Sequence, residues 1–254
     1  MLLAIDLGNT NLTLGLYEAG KLGPRWRLST DHERMPDEYG LQITALLNHV
    51  GYAPAQLEGV CLSSVVPQLT DRLTWACQHY LNQQALVVSC EVKTGLKILY
   101  DDPKAVGSDR LADAVAVRQL FTQPSCVVDF GTATTFNAIT RHGEYLGGAI
   151  TAGIGIASAA LMQRAARLPG VPLVTPPGVI GRNTVNAMQS GLVLGHVAMM
   201  EGMVERFRAE LGEDMKVVAT GGFSELIAQH TTLIDLVAPW LTLDGLRLIW
   251  EMNQ

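Results

Sequence analysis

Two short segments of the sequence have the make-up of a phosphate-gripping turn. Asp6-x-Gly8-Asn9-Thr10 and Asp129-x-Gly131-Thr132-Ala133 each place a carboxylate at the end of an apolar run and a glycine two residues later. Glycine lets backbone N–H groups approach phosphate oxygens, and Asn or Thr side chains add donors. A carboxylate repels phosphate, so its work there is to hold a cation, usually through water. Two such turns facing each other would grip one polyphosphate from both sides. Either turn alone reads more readily as a hairpin end; the pair, each followed by the same return strands, argues for chemistry.

Two other clusters carry chemistry. Tyr100-Asp101-Asp102-Pro103 is followed by Gly107-Ser108-Asp109-Arg110. Asp109 falls in the first turn of an expected helix, where the dipole favours its ionised form. Such a carboxylate beside a bound hydroxyl can accept its proton late in phosphoryl transfer, and Arg110 could fix an anionic substrate group by paired donors. The plain alternative is an acidic helix start with Arg110 on a solvated face. Thr220-Gly221-Gly222 follows an apolar run; it either cradles the nucleoside or α-phosphate by close backbone approach or is an ordinary strand–helix turn.

The elements that must position these residues follow from periodicity. Residues 2–7, 12–17 and 25–30 read as strands of an opening meander, and 36–49 as a helix, with Pro36 in its first turn and Tyr39, Ile43, Leu46 and Leu47 at helical spacing. Strands follow at 60–66 and 86–90, with a helix from Pro67 to Leu81 between them and another opening at Gly107-Ser108. Then the opening repeats: strands at 126–130, 134–140 and 144–151. The two Asp-x-Gly turns lie 123 residues apart, near half the chain. The repeat predicts a duplicated domain, 1–120 and 121–254, with a cleft between the halves. The second half adds a helix near 156–167, a Pro/Gly loop, and a long helix over 182–211 bent at Ser190-Gly191. It closes with a strand at 216–220, a helix at 223–230, a strand at 233–237 and a last helix at 242–252.

Composition narrows the class. The chain has 254 residues, 48% of them hydrophobic and 17% charged, against ~25% charged in ordinary soluble domains. That excludes disorder and calls for a sizeable core. The formal net charge is −6, against the basic face that a nucleic-acid binder carries, so no nucleic-acid partner is expected. Cys61, Cys77, Cys90 and Cys126 lack metal-knuckle or Cys-x-x-Cys spacing. With no secretory signal at the first residues, they read as reduced thiols of a cytoplasmic protein. Tyr145 to Gln163 is uncharged over 19 residues, a membrane-span length. Its four glycines make it a strand, a turn and a helix start of a soluble protein, so no membrane partner is expected. No P-loop, Gly-x-Ser-x-Gly or His-Glu-x-x-His motif is present. Gly153-x-Gly155-x-x-Ser158 mimics a dinucleotide fingerprint, but no Asp or Glu lies between Glu144 and Glu201 to hold a ribose. Tight helix packing is its better reading.

Taken together, Asp6 to Thr10, Tyr100-x-x-Pro103, Gly107 to Arg110, Asp129 to Thr135, Gly147-Gly148-Ala149-Ile150, Arg182-Asn183-Thr184 and Thr220-Gly221-Gly222 make the whole chain resemble the type III pantothenate kinases, of the actin/hexokinase/Hsp70 ATPase superfamily. The resemblance implies an α/β fold of duplicated ribonuclease H-like (actin-like ATPase) domains with a central interdomain cleft. It implies a homodimer that phosphorylates pantothenate with ATP, the first step of coenzyme A synthesis. It assigns Asp6, Leu7, Gly8, Asn9, Thr10, Asn11, Leu12 and Thr13 of the first turn, with Gly131 and Thr132 of the second, to the ATP phosphates, and Gly221 and Gly222 to the nucleotide. Asp6 would lie near Mg²⁺, through water. Asp109 would be the general base. Tyr100, Gly107, Ser108, Asp109 and Arg110 would line the pantothenate pocket, with Thr184 reaching it from the partner subunit. Asp129 would help bind a monovalent cation, K⁺ or NH₄⁺. The chain departs from the family at Asn137, where an Asp often stands, and at Ala152-Gly153, where Pro-Gly is common. Other readings on the same scaffold are a kinase for another small hydroxylated metabolite and a non-catalytic transcriptional accessory factor.

Overall fold

The computed structural model describes residues 1–165 and 168–254, which divide into two compact units. Unit 1 comprises Met1–Leu96, Tyr100–Ala116 and Leu241–Gln254. Its sheet runs β3(Lys21–Ser29), β2(Asn11–Glu18), β1(Leu2–Leu7), β4(Gly59–Ser64), β5(Ala85–Val87). The β1–β2 and β2–β3 pairs are antiparallel; β1–β4 and β4–β5 are parallel. On one face, α1(Pro36–His49) and α2(Pro67–Leu81) enclose Leu3, Ile5, Leu7, Leu12, Leu14 and Leu16 with Ile43, Leu47, Leu69 and Leu73. On the other lies α8(Leu241–Met252), whose Leu243 meets β2 at Gly15 and whose Trp250 meets β4 at Gly59. Tyr17 also points to α8 and donates its hydroxyl hydrogen to Asp244 at 2.7 Å. Covered on both sides, β1 carries an unbroken apolar run instead of an alternating one. The run ends at Asp6, which is only partly buried.

Unit 2 comprises Lys97–Leu99 and Val117–Trp240. Its sheet runs β11(Leu236–Val237), β10(Lys216–Thr220), β7(Ser125–Phe130), β8(Ala133–Ile139), β9(Glu144–Ala152), β6(Lys97–Ile98). Read from β9, the order and strand senses repeat those of unit 1: two antiparallel pairs, then two parallel ones. The repeated motif of the sequence is thus a repeated topology, with β6 added at one edge. The core face gathers Val128, Phe130, Phe136, Val217 and Ala219 against Val197, Met200 and Val204 of α6(Gly195–Leu211).

Several elements differ from the expectation. Helix α8 belongs to unit 1, so the compact units are not the consecutive stretches 1–120 and 121–254. Its buried stripe of Leu243, Leu246 and Ile249 is covered by unit 1's sheet. The long helix of 182–211 is α5(Thr184–Gln189) and α6, joined at Ser190–Leu194 by a π-helical stretch, where the bend was expected. There Ser190 Oγ donates to the Val179 carbonyl at 2.6 Å. The helix expected near 156–167 is α4(Ile154–Arg164); its last two positions lie outside the described residues. The edge strands β5 and β11 are shorter than read, and β6 was not foreseen, because two paired residues leave no periodicity to detect. The uncharged stretch from Tyr145 divides between β9 and α4, and no described helix is long and apolar enough to cross a membrane.

Candidate functional site

Register makes the two Asp-x-Gly turns equivalent. In unit 1 Asp6 lies opposite Thr13 of β2 and Ser63 of β4. In unit 2 Asp129 lies opposite Thr135 of β8 and Thr220 of β10. Each carboxylate therefore sits at the C-terminal end of the central strand, where ligands of such sheets bind. The turns differ in length. Leu7 pairs with Leu12, and Gly8 N–H donates to the Asn11 carbonyl at 2.9 Å. Phe130 pairs with Thr134, and Gly131 N–H donates to the Ala133 carbonyl at 3.1 Å. The second turn is one residue shorter, so the residue matching Thr132 is Thr10, not the Asn9 that a count from the aspartates selects. Asn9, Thr10, Asn11 and Thr132 are exposed, while Leu7 and Leu12 are core residues that hold the first turn's base.

Around Asp129, β10 turns at Gly221, whose φ of 87° is the left-handed region that favours glycine. A Cβ there would run into the Asp129 carboxylate and the Phe130 backbone; one on Gly131 would stand 3.4 Å from Asp129 Oδ2. The carboxylate is flanked by two glycines, Gly131 and Gly221. This cradle fits an ion that takes one carboxylate and otherwise carbonyl, water or phosphate oxygens, as K⁺ does. Gly222 is exposed beyond it, and Ser224 Oγ closes the turn on the Gly221 carbonyl at 2.8 Å. On the β8 side, Thr134 Oγ1 and His196 Nε2 share a buried hydrogen bond of 2.8 Å. Asn137 is fully buried and accepts from the Tyr145 hydroxyl at 3.0 Å, so this departure from the family pattern lies in the core. Among the described residues, no three His, Cys, Asp or Glu side chains gather as a metal cage.

The Gly107–Arg110 cluster is built into unit 1 by hydroxyl groups. Helix α3(Ser108–Leu120) starts with Ser108 buried: its Oγ lies 3.0 Å from Ser63 Oγ, accepts from Ser64 N–H at 2.8 Å and lies 3.1 Å from the Ser64 carbonyl. These bonds moor the helix start to the end of β4, in register with Asp6. Asp109 Oδ1 accepts from Arg110 N–H at 2.8 Å and lies where any side chain on Gly107 would collide with it. Burial pushes the Asp109 carboxyl above the ordinary aspartate range, against the lowering pull of the Arg110 N–H, the Arg110 charge and its own backbone N–H. The helix-start effect expected from sequence is present, but desolvation outweighs it. Arg110 is buried at 8% exposure, not on a solvated face. Sequence reasoning missed Ser63, because a serine at a strand end has no local signature. Tyr100 is half-buried, and Asp102 beside it accepts from Lys104 N–H at 3.0 Å to cap the short turn Pro103–Ala105.

Thr184 is exposed as the first residue of α5, whose N-terminus Asn183 caps by accepting from Asn186 N–H at 2.8 Å. It lies at the wall of an open cavity of about 690 Å³, with Arg182, Leu161 and Met188 among the lining residues.

Comparison with known proteins gives this geometry relatives. The family model described as Type III pantothenate kinase matches residues 2–206. A protein of that name from Moorella thermoacetica is 49% identical over 253 residues, covering 100% of both chains. Among solved structures, a Campylobacter jejuni protein described as a candidate Baf family transcriptional activator has a TM-score of 0.64 at 18% identity, over 99% of this chain and 98% of that one. The inorganic polyphosphate/ATP-glucomannokinase of an Arthrobacter species has a TM-score of 0.50 at 13% identity, over 99% and 97%. At those identities the structures speak for the fold alone: both units are of the duplicated ribonuclease H-like type shared by actin-like ATPases and sugar kinases.

Proposed function

The chain belongs to the type III pantothenate kinase family, and from that premise we propose how its residues divide the work of ATP-dependent pantothenate phosphorylation. The enzyme is a phosphotransferase with an alcohol group as acceptor, acting in coenzyme A synthesis. Asp109 is the general base. It accepts the proton of pantothenate's primary hydroxyl as that oxygen attacks the γ-phosphorus in line with the leaving group. The observation that carries this is the half-buried Asp109 carboxylate at a helix start that Ser108 moors to β4, where burial favours its protonated form. Such a group holds a proton better than an ordinary aspartate once it has taken it. Arg110, Tyr100 and Gly107 shape the pantothenate pocket. Ser108 contributes through its mooring bonds to Ser63 and Ser64. The turn from Asp6 to Thr13, with Gly131 and Thr132, holds the ATP phosphates by backbone and side-chain donors, and Gly221 and Gly222 lie against the nucleotide. Asp6 would hold Mg²⁺, and Asp129 would hold K⁺ or NH₄⁺. When bound, these ions neutralise charge that builds on the phosphoryl oxygens.

The test is a screen of ATP consumption with pantothenate, glucose, mannose and glycerol in turn. Pantothenate alone should support turnover. Preference for a sugar or glycerol would move the chain to the runner-up class of small-metabolite kinases.

We also propose a cytoplasmic homodimer with Thr184 reaching the partner's pantothenate. Support comes from Val179 and Ile180, adjacent in the chain, exposed at 75% and 86% and close to Thr184 in sequence. Large exposed apolar side chains grouped in this way mark an interaction surface. All four cysteines are free, as a reducing compartment keeps them. Ile180→Glu should convert a dimer to a monomer in analytical ultracentrifugation and depress activity with it; a wild-type chain that sediments as a monomer at micromolar concentration would remove the dimer.

A further inference from the structure

We propose that Thr30 and Gly153 are positioning residues that clamp the two phosphate turns in the shape that receives ATP. The inference rests on the reading of those turns given above. Each residue directly follows the third strand of its repeated meander, β3 or β9. Asn11 pairs with Ser29, and Ala133 with Ala152. The next step outward therefore sets Thr30 opposite Thr10 and Gly153 opposite Thr132. Thr30 N–H donates to the Thr10 carbonyl at 2.9 Å, and Gly153 N–H to the Thr132 carbonyl at 3.1 Å. The same bond occurs at the same register position in both copies.

Thr30 adds a second tie: its Oγ1 donates to the Gly8 carbonyl at 2.7 Å. In a planar trans peptide, the carbonyl of one residue and the N–H of the next point in opposite directions. Holding the Gly8 and Thr10 carbonyls toward Thr30 thus aims the N–H groups of Asn9 and Asn11 away from it. The clamp takes up the carbonyls that would repel phosphate and turns out the donors that attract it. In unit 2 the Thr132 carbonyl is held the same way, which directs the Ala133 N–H.

The two clamps use different chemistry because the turns differ in length. The longer first turn accommodates a side chain at position 30 and uses it. At Gly153 any Cβ would collide with the carbonyl oxygens of both Gly131 and Thr132. Its φ is −67°, so the glycine is required by close approach and not by backbone conformation. Sequence periodicity read Gly153 as tight helix packing; the tightness is against the phosphate turn.

The experiment compares four full-length variants by calorimetric ATP binding, steady-state kinetics and thermal denaturation. Thr30→Val keeps the shape and the backbone bond but removes the hydroxyl donor. It should raise the ATP Kd and the KM for ATP roughly five- to tenfold, the equivalent of one hydrogen bond, with the pantothenate KM unchanged. Thr30→Ser should restore both values. Gly153→Ala should weaken ATP more strongly than Thr30→Val. Thr132→Ala probes the phosphate contact itself. If Thr132→Ala weakens ATP while Thr30→Val binds it normally, the clamp is overturned and the turn assignment stands. If Thr132→Ala binds ATP as the wild type does, the turn assignment falls and takes the clamp with it. Equal loss of ATP and pantothenate affinity in Thr30→Val, with no rescue by serine, would reduce Thr30 to a structural residue and also overturn the proposal.

Discussion

Asp109→Asn is expected to lose turnover and gain stability. The amide keeps an oxygen for the Arg110 N–H, so the local bond of 2.8 Å survives. It cannot accept a proton, so kcat should fall by roughly 10²–10⁴-fold, the contribution of a positioned base. ATP affinity should be unchanged. The stability effect follows from the raised carboxyl pKa, caused first by burial. A carboxyl whose folded pKa exceeds its unfolded value contributes stability that is fully present below the unfolded pKa and lost as pH rises through the folded one. At neutral pH the unfolded chain carries this carboxyl ionised while the folded protein disfavours that charge, and the amide removes the burden. Thermal denaturation should give the variant a higher Tm at pH 7, and the gap should narrow toward pH 4. The acid limb of wild-type kcat/KM should lie above the pH at which an ordinary aspartate titrates. Near wild-type kcat in the variant would remove Asp109 from the base role; a lower Tm at pH 7 would show that the charged form is compensated by something other than the Arg110 contacts.

Exchange of K⁺ and NH₄⁺ for Na⁺ should cut the rate by roughly tenfold or more, the scale of losing one electrostatic stabiliser of the transition state. Gly221→Ala should reproduce that loss without any change of buffer. Alanine at a φ of 87° costs on the order of 1–2 kcal/mol in backbone strain. Its Cβ also enters the space held by the Asp129 carboxylate. The carboxylate must move, and the cradle it forms with Gly131 goes with it. The variant should melt several degrees below the wild type and respond equally weakly to K⁺ and Na⁺. A titration of initial rate against KCl at constant ionic strength reads both effects. Full wild-type activity in Na⁺ alone would contradict the Asp129 assignment. A Gly221→Ala enzyme that K⁺ still activates would separate the ion from this carboxylate.

Much of the arrangement was legible along the chain. Residues 2–7 and 126–130 read as buried strands because strands covered on both faces need unbroken apolar runs, and Asp6 and Asp129 stand where those runs end. Helix α1 was readable to its ends, since Pro36 starts it and its apolar residues repeat at helical spacing. The duplication was visible as two similar segments, and the sheet orders repeat it. The short edge strands escaped, because two or three residues held by one neighbour leave no pattern.

The sequence by itself determined which runs form the buried strands, where the chain turns and which types of group stand at the turns, because those follow from local composition and backbone freedom. Only the tertiary structure decided which threonines correspond, that Ser108 faces inward to Ser63, that Arg110 is buried, and that α8 returns to unit 1. Each of these depends on partners far apart in the chain: 45 residues separate Ser63 from Ser108. Strand register and desolvation arise when distant segments pack, and it is desolvation that raises the proton affinity of Asp109.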